Sequence, residues 1–371
     1  MKFTVSTSDL QRILAKLAGV IPSKSTMPIL ETLLFELTNN ILSITATDLI
    51  VSSTIELDVT GTEDGTIAVP AKRLLDTMRS LPDTSVTFVI DMTTNKIKIT
   101  TANGEYALTG DSAKEYPVVP PFSGSSEITI ESSALRKIIH RTAFAVSTDE
   151  LRPAMMGILI QASGPEIRAV ATDGHRLSRT SYRTDSPARL SKDVIVPVKA
   201  MAILAKAVES GSCTVGISDT HIRFVYDHSV LVSRIIEETY PNYESVIPQD
   251  NAKIAIVNRD QVIASIRRVS LYASMTTHQV KLELGANSLK LSAQDIDFGG
   301  EATETLPCEY GDDALEIGFN AVYLSDILSH LDTERVMLKF STPTRAGIIV
   351  PAEESQHEST LMLIMPVRLN S

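Results

Sequence analysis

Apolar residues near the start of the chain fall at helical spacing. Leu10, Ile13, Leu14 and Leu17 stand at i, i+3, i+4 and i+7 and make one stripe of an amphipathic helix. Ser8 and Gln11, three residues apart, read as a capping box at its N-terminus. The same onset returns at Leu135, Ile138 and Ile139, and again at Val262, Ile263 and Ile266. Between these stripes the period drops to two, as in Leu42, Ile44 and Ala46, which predicts half-buried strands. A second kind of helix opens at Pro70, a residue suited to a first helical turn, and points Leu74, Leu75, Met78 and Leu81 inward. Two hairpins are predicted. Asn103-Gly104, between alternating segments at 96–100 and 106–108, carries the signature of a type I′ turn, and Asp227-His228 plays the same part between 222–226 and 230–232.

This grammar occurs three times. Asp48, Asp173 and Asp295 close three similar strands and lie 125 and 122 residues apart. A strand running into a helix recurs at Ile67-Ala68-Val69-Pro70, Val194-Ile195-Val196-Pro197 and Glu316-Ile317-Gly318-Phe319, spaced by 127 and 122. Tyr116-Pro117, Tyr240-Pro241 and Met365-Pro366 keep spacings of 124 and 125. Units this long are domains rather than solenoid repeats. Each holds two helices and about eight strands, so the fold class is α+β, with three similar domains at 1–122, 127–247 and 252–371. The turn-rich segments 120–126 and 248–252 are read as linkers.

Composition narrows the class. The chain has 371 residues, 43% apolar and 21% charged, as a soluble globular protein with more than one core would. No run of eighteen apolar residues predicts a membrane span, and Met1-Lys2-Phe3-Thr4-Val5 lacks a signal-peptide layout. Cys213 and Cys308 are the only cysteines, far apart, which suits a reducing cytoplasm without disulfides or a cysteine metal site.

The net charge of −11 argues against a protein that grips phosphates tightly. Yet five of the six predicted helices carry basic residues: Arg12 and Lys16; Lys72, Arg73 and Arg79; Lys137 and Arg141; Lys199 and Lys206; Arg267 and Arg268. The sixth, near 320–331, breaks the trend with Asp326 and Asp332, while Glu237-Glu238, Asp312-Asp313 and Glu353-Glu354 place acid in strands and loops. If the helices share one surface, it is positive inside a negative molecule. That arrangement suits encirclement of DNA rather than base reading.

Candidate chemistry is sparse. In Thr172-Asp173-Gly174-His175-Arg176-Leu177, Asp173 and His175 suggest an acid/base pair or two metal ligands. No third ligand or nucleophile stands at a supporting spacing, no H-x-x-x-H occurs, and no phosphate-binding glycine loop or nucleophile elbow is present. No tryptophan occurs and aromatics total 5%, which disfavours a base-stacking platform. Neither catalytic residues, cofactor nor metal is expected. The last apolar segment, 361–369, must dock as a strand or line a groove, and Pro366 ends its strand pairing.

The opening Met1-Lys2-Phe3-Thr4-Val5, Thr26-Met27-Pro28-Ile29-Leu30, the block Ala171-Thr172-Asp173-Gly174-His175-Arg176-Leu177 and the terminal Met365-Pro366-Val367-Arg368-Leu369 resemble the beta subunit of bacterial DNA polymerase III, over the whole chain. The resemblance implies a DNA clamp fold, closed head to tail as a ring-shaped homodimer that slides on duplex DNA without reading sequence. It implies a non-catalytic, cytoplasmic, nucleoid-associated processivity factor with no cofactor. Its partners would be the replicative polymerase alpha subunit, the clamp loader delta subunit and other proteins carrying a clamp-binding motif.

The resemblance also implies a peptide-binding groove. Its residues here would be Arg152, Met155, Thr172, Gly174, His175, Arg176, Leu177, Pro241 and Val246, with Asn320, Tyr323, Thr344, Met362, Met365, Pro366, Val367 and Arg368. Such apolar walls with adaptable methionines and a few orienting polar groups fit a linear-motif site. Lys24, Arg73, Lys199, Arg267 and Arg268 are the expected DNA-facing residues. This sequence departs from relatives at Ser245, Thr277, Pro153 and Ala154, and Asn370-Ser371 extend past the usual end. Two other classes stay open at this point: a hydrolase using Asp173 and His175, and a repeat scaffold that binds proteins but never DNA.

Overall fold

The structure is a computed structural model, described for all residues except 120, 121, 125, 185–187, 297, 370 and 371. The first repeat runs β1 (Lys2–Ser6), α1 (Thr7–Leu17), β2 (Thr32–Thr38), β3 (Ile41–Thr47), β4 (Val51–Asp58), β5 (Thr60–Glu63), β6 (Gly65–Pro70), α2 (Ala71–Ser80), β7 (Ser85–Asp91), β8 (Lys96–Thr100) and β9 (Glu105–Thr109). The second runs β10 (Ser126–Glu131), α3 (Ser132–Ala143), β11 (Gly157–Ser163), β12 (Glu166–Thr172), β13 (Arg176–Arg183), β14 (Val194–Pro197), α4 (Val198–Ala207), β15 (Ser212–Ile217), β16 (His221–Tyr226) and β17 (Ser229–Arg234). The third runs β18 (Lys253–Asn258), α5 (Arg259–Val269), β19 (Gln279–Gly285), β20 (Ser288–Asp295), β21 (Gly300–Pro307), β22 (Leu315–Asn320), α6 (Ala321–Ser329), β23 (Arg335–Phe340), β24 (Gly347–Pro351) and β25 (Glu358–Ile364). Apart from the added β5, the order is the same each time. These are three α+β domains.

Sheet pairing ignores the repeat boundaries. Strands β6-β2-β3-β4 of the first repeat continue through β17-β16-β15-β10 of the second as one eight-stranded sheet. Strands β14-β11-β12-β13 of the second continue through β25-β24-β23-β18 of the third. Both junctions, β4 with β17 and β13 with β25, are antiparallel. Compactness follows these sheets: one unit comprises Met1–Arg136 with Lys199–Ile235, the other Lys137–Val198 with Ile236–Ser371. The middle repeat is divided because half its strands are hydrogen-bonded into each sheet. Two terminal sheets remain, β5-β1-β7-β8-β9 and β21-β20-β19-β22, and β9 and β21 are each an edge strand of one of them.

The apolar stripes bury as the sequence predicts, except that Leu81 falls just past α2 and is half-buried. Leu10, Ile13, Leu14 and Leu17 on α1, and Leu74, Leu75 and Met78 on α2, are buried. Phe3 and Phe88 stack 4.8 Å apart under them. Each such burial contributes on the order of 2 kcal/mol. Two local expectations fail. Ser6, not Ser8, caps α1 by accepting from the Asp9 N–H at 3.3 Å, and Gln11 instead donates to the Met78 carbonyl of α2. The β8–β9 turn centres on Ala102-Asn103, closed by the Thr101 N–H to the Gly104 carbonyl at 2.9 Å. Neither Asn103 nor Gly104 is left-handed, so it is not type I′. Asp227, at φ 47°, does turn the β16–β17 hairpin.

Candidate partner-binding site

All seventeen residues named for the groove lie in the unit 137–198 with 236–371. Their frame is the turn between β12 and β13. The Asp173 carboxylate accepts from the His175 and Arg176 N–H groups at 2.8 and 2.9 Å and from Arg176 Nε at 3.1 Å. The Thr172 hydroxyl donates to the Arg176 carbonyl at 2.7 Å and accepts from the Gly174 N–H at 3.1 Å. The same turn recurs in the first repeat: Thr47 Oγ1 accepts from the Leu49 N–H, and Asp48 from the Ile50 and Val51 N–H groups. Asp173 is therefore consumed by backbone and guanidinium donors, and His175 stacks on Tyr323 instead, ring centroids 5.7 Å apart. The acid/base geometry that Asp173 and His175 suggested is not formed.

Gly174 sits at φ +90°, and a Cβ there would come within 2.9 Å of Arg152 Nη1. Arg152 itself donates to the Asp173 carbonyl at 3.1 Å and to the Asp149 carboxylate at 2.8 Å. Gly174→Ala is expected to cost about 1–2 kcal/mol, because a side chain at that φ is strained and Arg152 must shift. The check is the midpoint of urea unfolding; an unchanged midpoint would show that the turn relaxes without cost.

Arg176 is the electrostatic centre. It donates to Asp326 of α6 at 2.7 Å and to the Phe144 carbonyl at 2.8 Å, with its guanidinium 5.2 Å from the Phe144 ring and 4.8 Å from the Tyr323 ring. Asn320 fixes Tyr323 by capping α6, its side chain accepting from the Val322 and Tyr323 N–H groups at 2.9 and 3.3 Å. The terminal segment is tied in by two backbone hydrogen bonds, Met365 N–H to the His175 carbonyl at 2.8 Å and Val367 N–H to the Gly318 carbonyl at 2.9 Å, with the Val367 and Leu369 side chains against Gly318. A Cβ on Gly318 would lie 3.0 Å from the Val367 carbonyl oxygen, so glycine permits this approach.

The floor lies on one face of β13. Leu177 pairs with Leu363 in register and packs with Leu159, Val170, Tyr243, Ile247 and Ile348. Sequence reasoning missed Tyr243, Ile247, Ile348 and Leu363; alternation along β24 and β25 was the available signal. Met362, one residue from Leu363, points to the opposite face and is fully buried in the core of the third repeat. Met155 and Thr172 are also buried, and Leu177 nearly fully so. Arg152, Gly174, His175, Pro241, Val246, Thr344, Met365 and Arg368 are exposed, while Arg176, Asn320, Tyr323, Pro366 and Val367 are half-buried. Pro241 borders a cleft of about 450 Å³ with Leu159, Ile195 and Tyr243. Among the described residues the side chains of Val246, Thr344 and Arg368 form no hydrogen bond or ion pair with another groove residue, the Thr344 hydroxyl lying 3.5 Å from that of Thr342. Ser245 turns back to donate to the Asn242 carbonyl, and Thr277 offers its carbonyl to Asn320 at 3.5 Å. Asn370 and Ser371 lie outside the described residues.

The basic helix residues separate into two groups. Arg12, Lys16, Lys137, Arg141, Lys199 and Arg268 are ion-paired with Asp9, Glu209, Glu358, Asp332 and Glu358 together, Asp48 and Glu304 respectively. Lys72, Arg73, Arg79, Lys206 and Arg267, and Lys24 in the loop after α1, form no ion pair among the described residues. The Arg268 fork holds the Glu304 carboxyl at about 2. Asp326 and Asp332, the acids that break the helix trend, answer Arg176 and Arg141. No helix among the described residues is long and apolar enough to cross a membrane, and no His, Cys, Asp and Glu cluster among them could hold a metal.

A three-domain frame with shared sheets and an apolar, cation-rimmed groove defines a clamp-type binding protein. Family models for the DNA polymerase III beta subunit match the N-terminal domain at 1–120, the central domain at 129–242 and the C-terminal domain at 244–368. The chain belongs to the DNA polymerase III beta subunit family, the DNA polymerase sliding clamps. It is 31% identical to the beta sliding clamp of Pseudomonas aeruginosa, with all of both chains covered. Crystal structures of the Pseudomonas aeruginosa clamp with ligand and of a Bartonella birtlesii clamp bound to griselimycin each superpose over both whole chains with a TM-score of 0.93 at 30% identity.

Proposed function

We propose that two copies of this chain close head to tail into a ring around duplex DNA and act there as a non-catalytic processivity factor in the cytoplasm. The observation that carries this reading is the pairing rule between repeats, which leaves edge strands β9 and β21 without the partner it calls for. Inside the chain, each repeat's first sheet half joins the next repeat's second half, antiparallel, at β4/β17 and β13/β25. By the same rule β21 of one copy pairs with β9 of another, and a heterologous contact that repeats through a closing rotation gives a ring. The domains of that ring are 1–122, 127–247 and 252–371 in each copy.

Charge supports encirclement. The molecule carries −11, so a lasting DNA association rests on topology more than on phosphate affinity. Lys24, Arg73 and Arg267 offer uncommitted cations to the duplex; Lys199 and Arg268 contribute through pairs that DNA phosphates can open. The groove from Arg152 to Leu177 and from Asn320 to Arg368 captures linear motifs of the replicative polymerase alpha subunit, the clamp loader delta subunit and other replication and repair proteins. Held this way, a polymerase gains effective concentration at the primer rather than a new catalytic group.

The test is retention. Protein loaded on nicked circular DNA stays bound through gel filtration at roughly 0.15 M salt, and linearising the circle releases it. Equal loss from circular and linear DNA sinks the ring and favours a scaffold that binds proteins only.

A further inference from the structure

Along β13 the side chains of Leu177, Arg179, Ser181 and Arg183 alternate onto one face of the sheet. Across the register Arg179 meets Leu361, and Ser181 meets Ser359 on β25 and Arg168 on β12. The apolar groove floor at Leu177 and Leu363 thus runs directly into a polar cleft of about 560 Å³ bordered by Glu166, Arg168, Arg179, Arg183, Glu354 and Glu358. From Leu177 to Arg183 the strand spans about 20 Å.

Formal charges in this cleft balance, but their commitments do not. Glu166 accepts from Ser181 at 2.6 Å and Arg168 at 3.0 Å. Glu358 accepts from Lys137 at 2.8 Å and Arg141 at 2.9 Å, both on α3 behind the sheet. Glu354 accepts from the Thr360 N–H at 2.9 Å and the Ser359 hydroxyl at 3.5 Å. Arg168 reaches Glu166, Tyr243 and Glu244. Arg179 and Arg183 are left with no ion pair or side-chain hydrogen bond among the described residues, Arg179 having only its electrostatic proximity to Glu166. Two free guanidiniums four residues apart on one strand face stand about 13 Å from each other, a spacing for carboxylates on an extended chain.

We propose that the Arg179–Arg183 cleft is an anion-binding subsite for acidic peptide, taking the carboxylates of Glu or Asp residues that flank a segment held in the groove. This rests on the groove reading of the same sheet face. An extended peptide leaving the groove along β13 would pass Arg179 and then Arg183, so that acidic flanks strengthen capture and basic flanks weaken it. Selection among competing partners then depends on their flanks as well as their apolar anchors.

Five fluorescein-labelled probes test this by anisotropy on the full chain: Leu-Leu-Phe, the same tripeptide with four glutamates before it, the same with four glutamates after it, hexaglutamate, and hexathymidylate. The double variant Arg179→Gln/Arg183→Gln is expected to weaken the better glutamate-extended peptide roughly tenfold, as two charge-assisted contacts are lost, and to leave Leu-Leu-Phe unchanged. The melting temperature of the variant should match the parent, since neither guanidinium supports the fold. If Leu-Leu-Phe does not bind but hexaglutamate still loses affinity on the double variant, the groove reading fails and the anion subsite stands. Unaltered binding of all glutamate probes overturns the proposal. Tighter binding of hexathymidylate than hexaglutamate, lost in the same variant, also overturns it and assigns the cleft to nucleic-acid phosphates.

Discussion

A chain carrying Leu271→Ser and Tyr272→Ser is expected to sediment at half the mass of the parent at micromolar concentration and to be lost from nicked circular DNA. Both residues follow α5 in a short 3-10 turn and are exposed in the single chain, Leu271 at 81% and Tyr272 at 48%. Tyr272 lies against the start of β21, where a Cβ on Gly300 would meet its ring at 3.4 Å. Large apolar side chains standing beside an unpaired strand edge mark an interface. The complementary surface borders the other free edge. A cleft of about 1280 Å³ next to β9 is lined by Ile21, Pro22, Leu75, Tyr106 and Leu108, with Lys72, Arg73 and Arg79 at its rim. The acidic strand β21 offers Glu301 to those cations, Glu304 being held by Arg268 of its own chain.

The magnitude follows from burial. Placing one leucine and one tyrosine in such a cleft stabilises the contact by about 4 kcal/mol, and a two-fold ring has two such contacts. Losing both amounts to about 8 kcal/mol, or five to six decades in the dissociation constant. Since neither side chain is buried within the chain, thermal unfolding of the isolated subunit should hardly move. A variant that keeps the parent's mass would show that the ring closes elsewhere.

Much of this organisation is legible in the sequence because the repeats restate it. One aspartate-ended strand and one strand-to-helix junction mark each domain, and helical spacing at Leu10, Leu135 and Val262 marks each first helix. What the sequence hides is pairing. Nothing in the spacing of β13 and β25 says that Arg176 will sit opposite Ile364, so the shared eight-stranded sheets, and the free edges they leave, emerge only from the fold. The site shows the same division. The block 172–177 stands out as polar chemistry, yet its aspartate proves to be turn architecture repeated at Asp48. Met362 and Leu363 look alike in a run of apolar residues, and only the sheet's two faces send one to the core and the other to the groove floor. Helix-borne charge was visible, but much of it is spent on ion pairs, and apart from Arg12 with Asp9 their partners lie far away in sequence.

Arg141→Ala is expected to lower the unfolding free energy by about 3 kcal/mol near neutral pH, with a shallower loss on acidification than the parent shows. Arg141 is 6% exposed on α3 and donates to Asp332 at 2.7 Å, to Glu358 at 2.9 Å and to the Thr360 hydroxyl at 3.2 Å. Its own carbonyl accepts from the Ser178 hydroxyl of β13. Removing the guanidinium leaves Glu358 partly buried with Lys137 as its remaining cation, and removes the only charge facing Asp332 at hydrogen-bonding distance among the described residues. Burial pushes the Glu358 and Asp332 carboxyls up, but the facing cations win: Lys137 and Arg141 hold Glu358, and Arg141 holds Asp332, below their ordinary values of 4.5 and 3.8. A folded-state value below the unfolded one gives stability that is present above the unfolded pKa and is lost as pH falls through the folded pKa. The parent should therefore lose stability from about pH 4.5 downward, and Arg141→Ala, already lacking part of that contribution, should lose less over the same interval. Urea unfolding of both chains at about pH 7 and about pH 3.5 reads the two slopes. Parallel slopes would mean that Glu358 and Asp332 draw their acid sensitivity from elsewhere. Because Arg176 hydrogen-bonds the carbonyl of Phe144, three residues beyond Arg141, loosening this end of α3 should also weaken peptide capture in the groove.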